Sequence, residues 1–87
     1  MVYVRSVKHL DGFRVKLEFS DGTRKEVNLE PFLRGPIFEP MRASQEVFRR
    51  VRVDEEIGTI AWDNGADIDP EVLRGLHTPA WMSEVDM

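Results

Sequence analysis

The sequence predicts a single small α+β domain. It should hold a mainly antiparallel sheet of about five strands, opened by a three-strand meander, with two short helices. Three observations predict it. Apolar and charged residues alternate strictly from Phe13 to Phe19, the period-2 pattern of a strand with one buried face. Turn signals at Leu10-Asp11-Gly12, Ser20-Asp21-Gly22 and Asp54 to Gly58 punctuate further strand-like runs. Asp69-Pro70-Glu71 has the form of a helix start: a capping oxygen, proline at the first helical position, an acid in the first turn. With 87 residues, the chain cannot divide into two self-sufficient cores, so 1–87 reads as one domain with 78–87 as a tail.

The first strand spans roughly residues 2–8. Val2 and Val4 share one side, Tyr3 and Val7 the other, so either both faces are covered or the strand is bulged. The second and third strands flank Ser20-Asp21-Gly22, and their register follows from face matching. A two-residue Asp21-Gly22 loop would set Phe19 against Arg24 and Leu17 against Glu26. A three-residue loop sets Val15 against Val27 and Phe13 against Leu29, with Glu18 facing Arg24 and Lys16 facing Glu26. The second register is predicted, because directly opposite residues share a face. It needs Gly22 in the left-handed conformation, and it leaves Lys25 opposite Leu17 as a misfit.

Pro31, Gly35, Pro36 and Pro40 break residues 30–43 into irregular chain, with a helical turn near Phe32 and Leu33. Ser44 is placed to cap a short helix over residues 45–49 that buries Val47 and Phe48. Val51 and Val53 alternate with Arg50 and Arg52 as a fourth strand, and Thr59 to Trp62 forms a fifth. The last helix begins at Asp69-Pro70, turns Val72, Leu73 and Leu76 toward the core, and is held to about two turns by Gly75 and Pro79.

The composition excludes several function classes. Without cysteine there is no disulfide framework and no thiolate zinc site. No apolar run approaches the ~20 residues of a membrane span. Met1 to Arg5 lacks the apolar centre of a signal peptide, so a cytoplasmic protein without a membrane partner is expected. The net charge of −4 is uneven. Residues 1–52 carry eleven Lys/Arg against seven Asp/Glu, and residues 53–87 carry Arg74 against nine acids. Such a split raises the question of charged partners without answering it, and cross-hairpin pairs and acids in turns and at the helix start account for part of it.

The candidate sites are few. Asp63, Asp67, Asp69 and Glu71 supply oxygen ligands, but their spacing does not match a calcium loop. The structural alternative gives Asn64-Gly65 a tight turn, Asp67 the bracing of loop amides, and Asp69-Pro70 the helix start. Trp62, with Asn64 and Asp67 beside it, either lines a pocket or closes the core with its N–H bonded to a carbonyl. Arg42, Arg49, Arg50 and Arg52 form the densest basic stretch, a thin nucleic-acid footprint on a chain of pI 5.1. His9 and His77 have no second histidine at metal spacing, His77 lying where a cation suits a helix end. None of Ser6, Ser20, Ser44 and Ser83 sits in a G-x-S-x-G elbow. No catalytic residue, metal site or cofactor is assigned.

Two blocks are distinctive: Gly35-Pro36-Ile37-Phe38-Glu39-Pro40-Met41, and Trp62-Asp63-Asn64-Gly65-Ala66-Asp67-Ile68-Asp69-Pro70. They resemble a small bacterial family, the domain of unknown function numbered two-four-four-two. Its members carry similar G-P-x-F-E-P-L and W-x-N-G-A-D-[IL]-x-P blocks, with Met41 here at the leucine position. The resemblance runs from the first hairpin to Leu76 and implies a compact α+β domain with a mainly antiparallel sheet. Some relatives are encoded beside a small toxin-like protein, and others carry an added helix-turn-helix domain. That extension has no counterpart in these residues, so its DNA-binding role does not carry over. The resulting expectation is a non-catalytic protein-interaction module, with an antitoxin-like partnership as the resemblance's contribution. A tail bearing Trp81 and Met82, or a sheet edge, would meet the partner or a second copy. The alternatives are a nucleic-acid-associated regulator using the arginines, and a metal or ligand site or enzyme at Trp62 to Asp69.

Overall fold

Strict alternation gives the meander. In the computed structural model, which describes residues 2–75, β1 (Val4–Asp11), β2 (Arg14–Phe19) and β3 (Arg24–Asn28) form an antiparallel sheet in that order. Val15 pairs with Val27, Lys16 with Glu26, Leu17 with Lys25 and Glu18 with Arg24, which is the predicted register. Gly22 closes the loop at φ 87°, and Asp21 Oδ1 accepts the Thr23 N–H at 2.9 Å. Lys16 and Glu26 are opposite in register, but the ion pair formed there is Arg14–Glu26 at 3.0 Å. Arg14 also grips Asp11, so Glu26 meets a guanidinium that is already anchored.

The double-faced character of the first strand comes from bulging. Val4 faces Phe19, but Ser6 faces Glu18, so Arg5 is an extra residue. One extra residue reverses the side-chain parity. Val4 before the bulge, and Val7 and His9 after it, therefore all lie over Phe19, Leu17 and Val15. A second shift between His9 and Asp11 precedes the turn.

The five strands divide between two sheets. Among the described residues β4 (Arg52–Asp54) pairs only with β5 (Thr59–Ala61). The β4–β5 turn meets the meander through Val4 N–H to Gly58 O at 2.9 Å. This contact falls beside the Arg5 bulge, which interrupts the ladder and twists the β1 edge.

Among the described residues three short helices appear where two were expected. The additional one, α1 (Glu39–Ala43), begins with Pro40 in its first turn, where proline is compatible with a helix. It buries Met41. α2 (Gln45–Phe48) starts at Ser44, whose Oγ accepts the Val47 N–H at 3.3 Å, and it buries Phe48 while Val47 is half-buried. α3 (Pro70–Arg74) is capped by Asp69, whose Oδ1 accepts the Glu71 N–H at 2.7 Å, and ends at Gly75 in the left-handed region. Single 3₁₀ turns span Glu30–Phe32 and Pro36–Phe38. The core lies between the inner sheet face and these helices, with Val15, Leu17, Phe19, Phe48, Ile60 and Trp62 fully or nearly buried. The expectations for Leu76, His77, Trp81, Met82 and the tail 78–87 lie outside the described residues. Among the described residues no helix is long and apolar enough to cross a membrane.

Candidate functional site

The two distinctive blocks fold against each other. Gly35, at φ 87°, turns the chain into the 3₁₀ turn that carries Ile37 and Phe38. The Phe38 ring stands edge-on to Trp62, with centroids 5.9 Å apart. Asn64 Nδ2 donates to Ile37 O at 2.9 Å, and its Oδ1 accepts the Ala66 N–H at 3.1 Å. One side chain therefore clamps both blocks. Arg42 holds the preceding corner by donating to Leu33 O and Gly35 O.

Trp62 is 2% exposed, and its Nε1–H donates to Phe48 O at 3.0 Å, joining the Val51 N–H on a carbonyl at the end of α2. Gly65 makes the tight turn at φ 91°, and Trp62 and Ala66 are joined by a backbone hydrogen bond. The amide bracing expected of Asp67 is done by Asn64 instead. Asp67 is exposed and bridges Ala61 through its backbone. Asp69 and Pro70 form the helix start. Among the described residues no group of three or more His, Asp or Glu is placed to hold a metal.

Beside this junction lies a groove of about 210 Å³, lined by Pro40, Met41, Val47, Arg50, Trp62, Asp63 and Asn64. Its floor is apolar and its rim charged. Ile37, adjoining through Asn64, is 47% exposed, one of three large apolar side chains exposed among the described residues, with Tyr3 and Ile57. On the rim, Arg50 pairs with Glu46 at 3.7 Å, and Arg52 with Asp54 and Asp63, each at 3.7 Å. These are loose, exposed pairs of the kind that contribute about 0–1 kcal/mol, so a partner can replace them cheaply. Arg49 is exposed and forms no ion pair among the described residues. Trp81 lies outside them.

The sequence reading missed the charges that dock α3. Lys25 Nζ donates to Leu73 O and Arg74 O, both at 3.3 Å, and Arg74 Nε donates to Asp21 Oδ2 at 3.2 Å. Its one available signal was the Lys25–Leu17 misfit. Among the described residues Arg14 and Asp21 have displaced pKa values, both away from the groove. Arg14 is raised, first by its hydrogen bonds and charge contact with Asp11, then by Glu26. Asp21 is lowered, first by the Thr23 backbone N–H and with a further contribution from Arg74.

Comparison with known proteins adds two findings. A family model described as "Protein of unknown function (DUF2442)" matches residues 4–78. Among solved structures, the chain is similar to "Crystal Structure of Putative DNA Binding Protein NE0471 from Nitrosomonas europaea ATCC 19718", at 29% identity and a TM-score of 0.64. That match covers 74% of this chain and 42% of the other, so this chain corresponds to less than half of its length. No curated protein matches.

Proposed function

The chain belongs to the family of proteins of unknown function DUF2442, and within it we propose a non-catalytic protein-interaction module. The observation that carries the reading is the groove. It joins an apolar floor to a rim of weakly held charges, with exposed Ile37 beside it. That is the anatomy of an interface centre with a polar surround. Its key side chains are committed to shape rather than to chemistry: Trp62 closes the core and Asn64 clamps two loops. The partner, in this proposal, is a small cytoplasmic protein encoded beside this one, in an antitoxin-like relation.

The test is recovery of the tagged full chain from its native host. Ile37→Asp and Arg50→Glu alter exposed positions and should leave thermal unfolding unchanged. The wild type should bring down a stoichiometric partner that both variants lose. Recovery of bare monomer at physiological concentration would defeat the reading.

A nucleic-acid-associated role is the second reading. The name of the solved relative favours it, as does exposed Arg49, which forms no ion pair among the described residues. Against it, Arg42 is hydrogen-bonded within the fold, the chain has a pI of 5.1, and more than half of that relative lies outside the match. Duplex DNA binding across a salt series separates the two readings, since phosphate contacts are strongest at low salt.

A further inference from the structure

The fold leaves positive charge free at a place the sequence does not advertise. Lys8 on β1 stands directly opposite Lys16 on β2, both exposed, on the sheet face turned away from the core. Like charges directly opposite weaken a strand pair. The neighbouring carboxylates have cationic partners of their own. Glu26, across from Lys16 on β3, is bound by Arg14 at 3.0 Å, and Glu18 lies 3.9 Å from Arg24. Neither Lys8 nor Lys16 forms an ion pair among the described residues.

Between them lies a cleft of about 220 Å³, lined by Ser6, Lys8, Lys16, Leu17, Glu18 and Arg24. Its three cations against one carboxylate leave a local charge of +2 on a chain whose net charge is −4. Two ammonium groups on separate flexible stems act as point charges that can converge on a compact dianion. A planar carboxylate is better matched by the fork of arginine. The sheet holds the lysine stems at a fixed cross-strand spacing.

We propose that this cleft binds a phosphate group, held between Lys8 and Lys16 with the Ser6 hydroxyl as a third donor. Bound phosphate replaces the repulsion between the lysines with two attractions.

Lysine side-chain NMR of the full chain, in chloride buffer at low ionic strength, tests this by titration with inorganic phosphate. The chain has three lysines, and Lys25, bonded to the end of α3, is the internal reference. Lys8 and Lys16 should shift together and saturate while Lys25 stays still. Lys8→Glu should abolish the saturating shift and raise the urea midpoint, because it turns a repulsive cross-strand pair into an attractive one. Lys16→Gln should weaken binding at least about tenfold, the loss of one charge-assisted contact. Equal movement of all three lysines, the same shift with chloride at matched ionic strength, or saturation retained in Lys8→Glu overturns the proposal. So does tighter binding of poly-glutamate than of phosphate. A single-stranded oligonucleotide forms the second arm. Tighter binding than inorganic phosphate, with a log–log salt slope of about −1.4 for two contacts, identifies a nucleic-acid backbone as the source. Equal affinity identifies a small phosphate compound.

Discussion

Lys25 shows how a residue that violates a local pattern can be explained by a distant one. Alternation asks for an apolar side chain opposite Leu17, yet Lys25 serves α3, where a cation meets the unpaired carbonyls of the last turn. Lys25→Met should lower stability by about 1 kcal/mol in urea unfolding, the scale of a partly exposed charged hydrogen bond. Trp62→Phe keeps most of the ring but removes one of the two donors to the Phe48 carbonyl, which retains the Val51 N–H, and should cost about 0.5–1.5 kcal/mol in urea unfolding. Asp21 carries a pH dependence. The Thr23 N–H holds its carboxyl below the usual range, so the folded state binds that proton more weakly than the unfolded chain. Its stabilising contribution is fully present above about pH 4 and is lost as pH falls through the lowered folded value. Asp21→Asn should flatten that acid limb of the stability curve.

At the scale of elements, the hairpin and the caps were legible and the connections were not. The β2–β3 register followed from face matching and one glycine, because both act within a few residues. Ser44 and Asp69 were recognised as caps for the same reason, and Ser44→Ala should cost about 1 kcal/mol by thermal or urea unfolding. Helix α1 was missed because Pro40 reads as a breaker until its place in the first turn is known. The β1 bulge was one of two explanations left open, and pairing with β2 chose it. At the junction of the sheets, Gly58 sits at φ 72°, and a Cβ there would meet the Tyr3 Cβ at 3.0 Å. Gly58→Ala should therefore destabilise by more than about 1 kcal/mol, combining backbone strain with a clash.

Over the whole molecule, most of the charges that stand out in sequence find partners in space, Arg49 being the exception among the described residues. Arg42, Arg50 and Arg52 are conspicuous in the chain and partnered in space, whereas Lys8 and Lys16 are eight residues apart and confront each other. The groove was only half legible. Trp62 and Asn64 were singled out, but Pro40, Met41 and Val47 join them only when two blocks meet. By itself, the sequence determined the α+β class, the meander with its register, and the helix starts. These depend on alternation, glycine conformation and capping, all set by near neighbours. The tertiary structure decided the division into two sheets, the groove, and which cations are spent. Those depend on contacts such as Asn64 with Ile37 and Lys25 with Leu73, 27 and 48 residues apart, whose geometry no local pattern encodes.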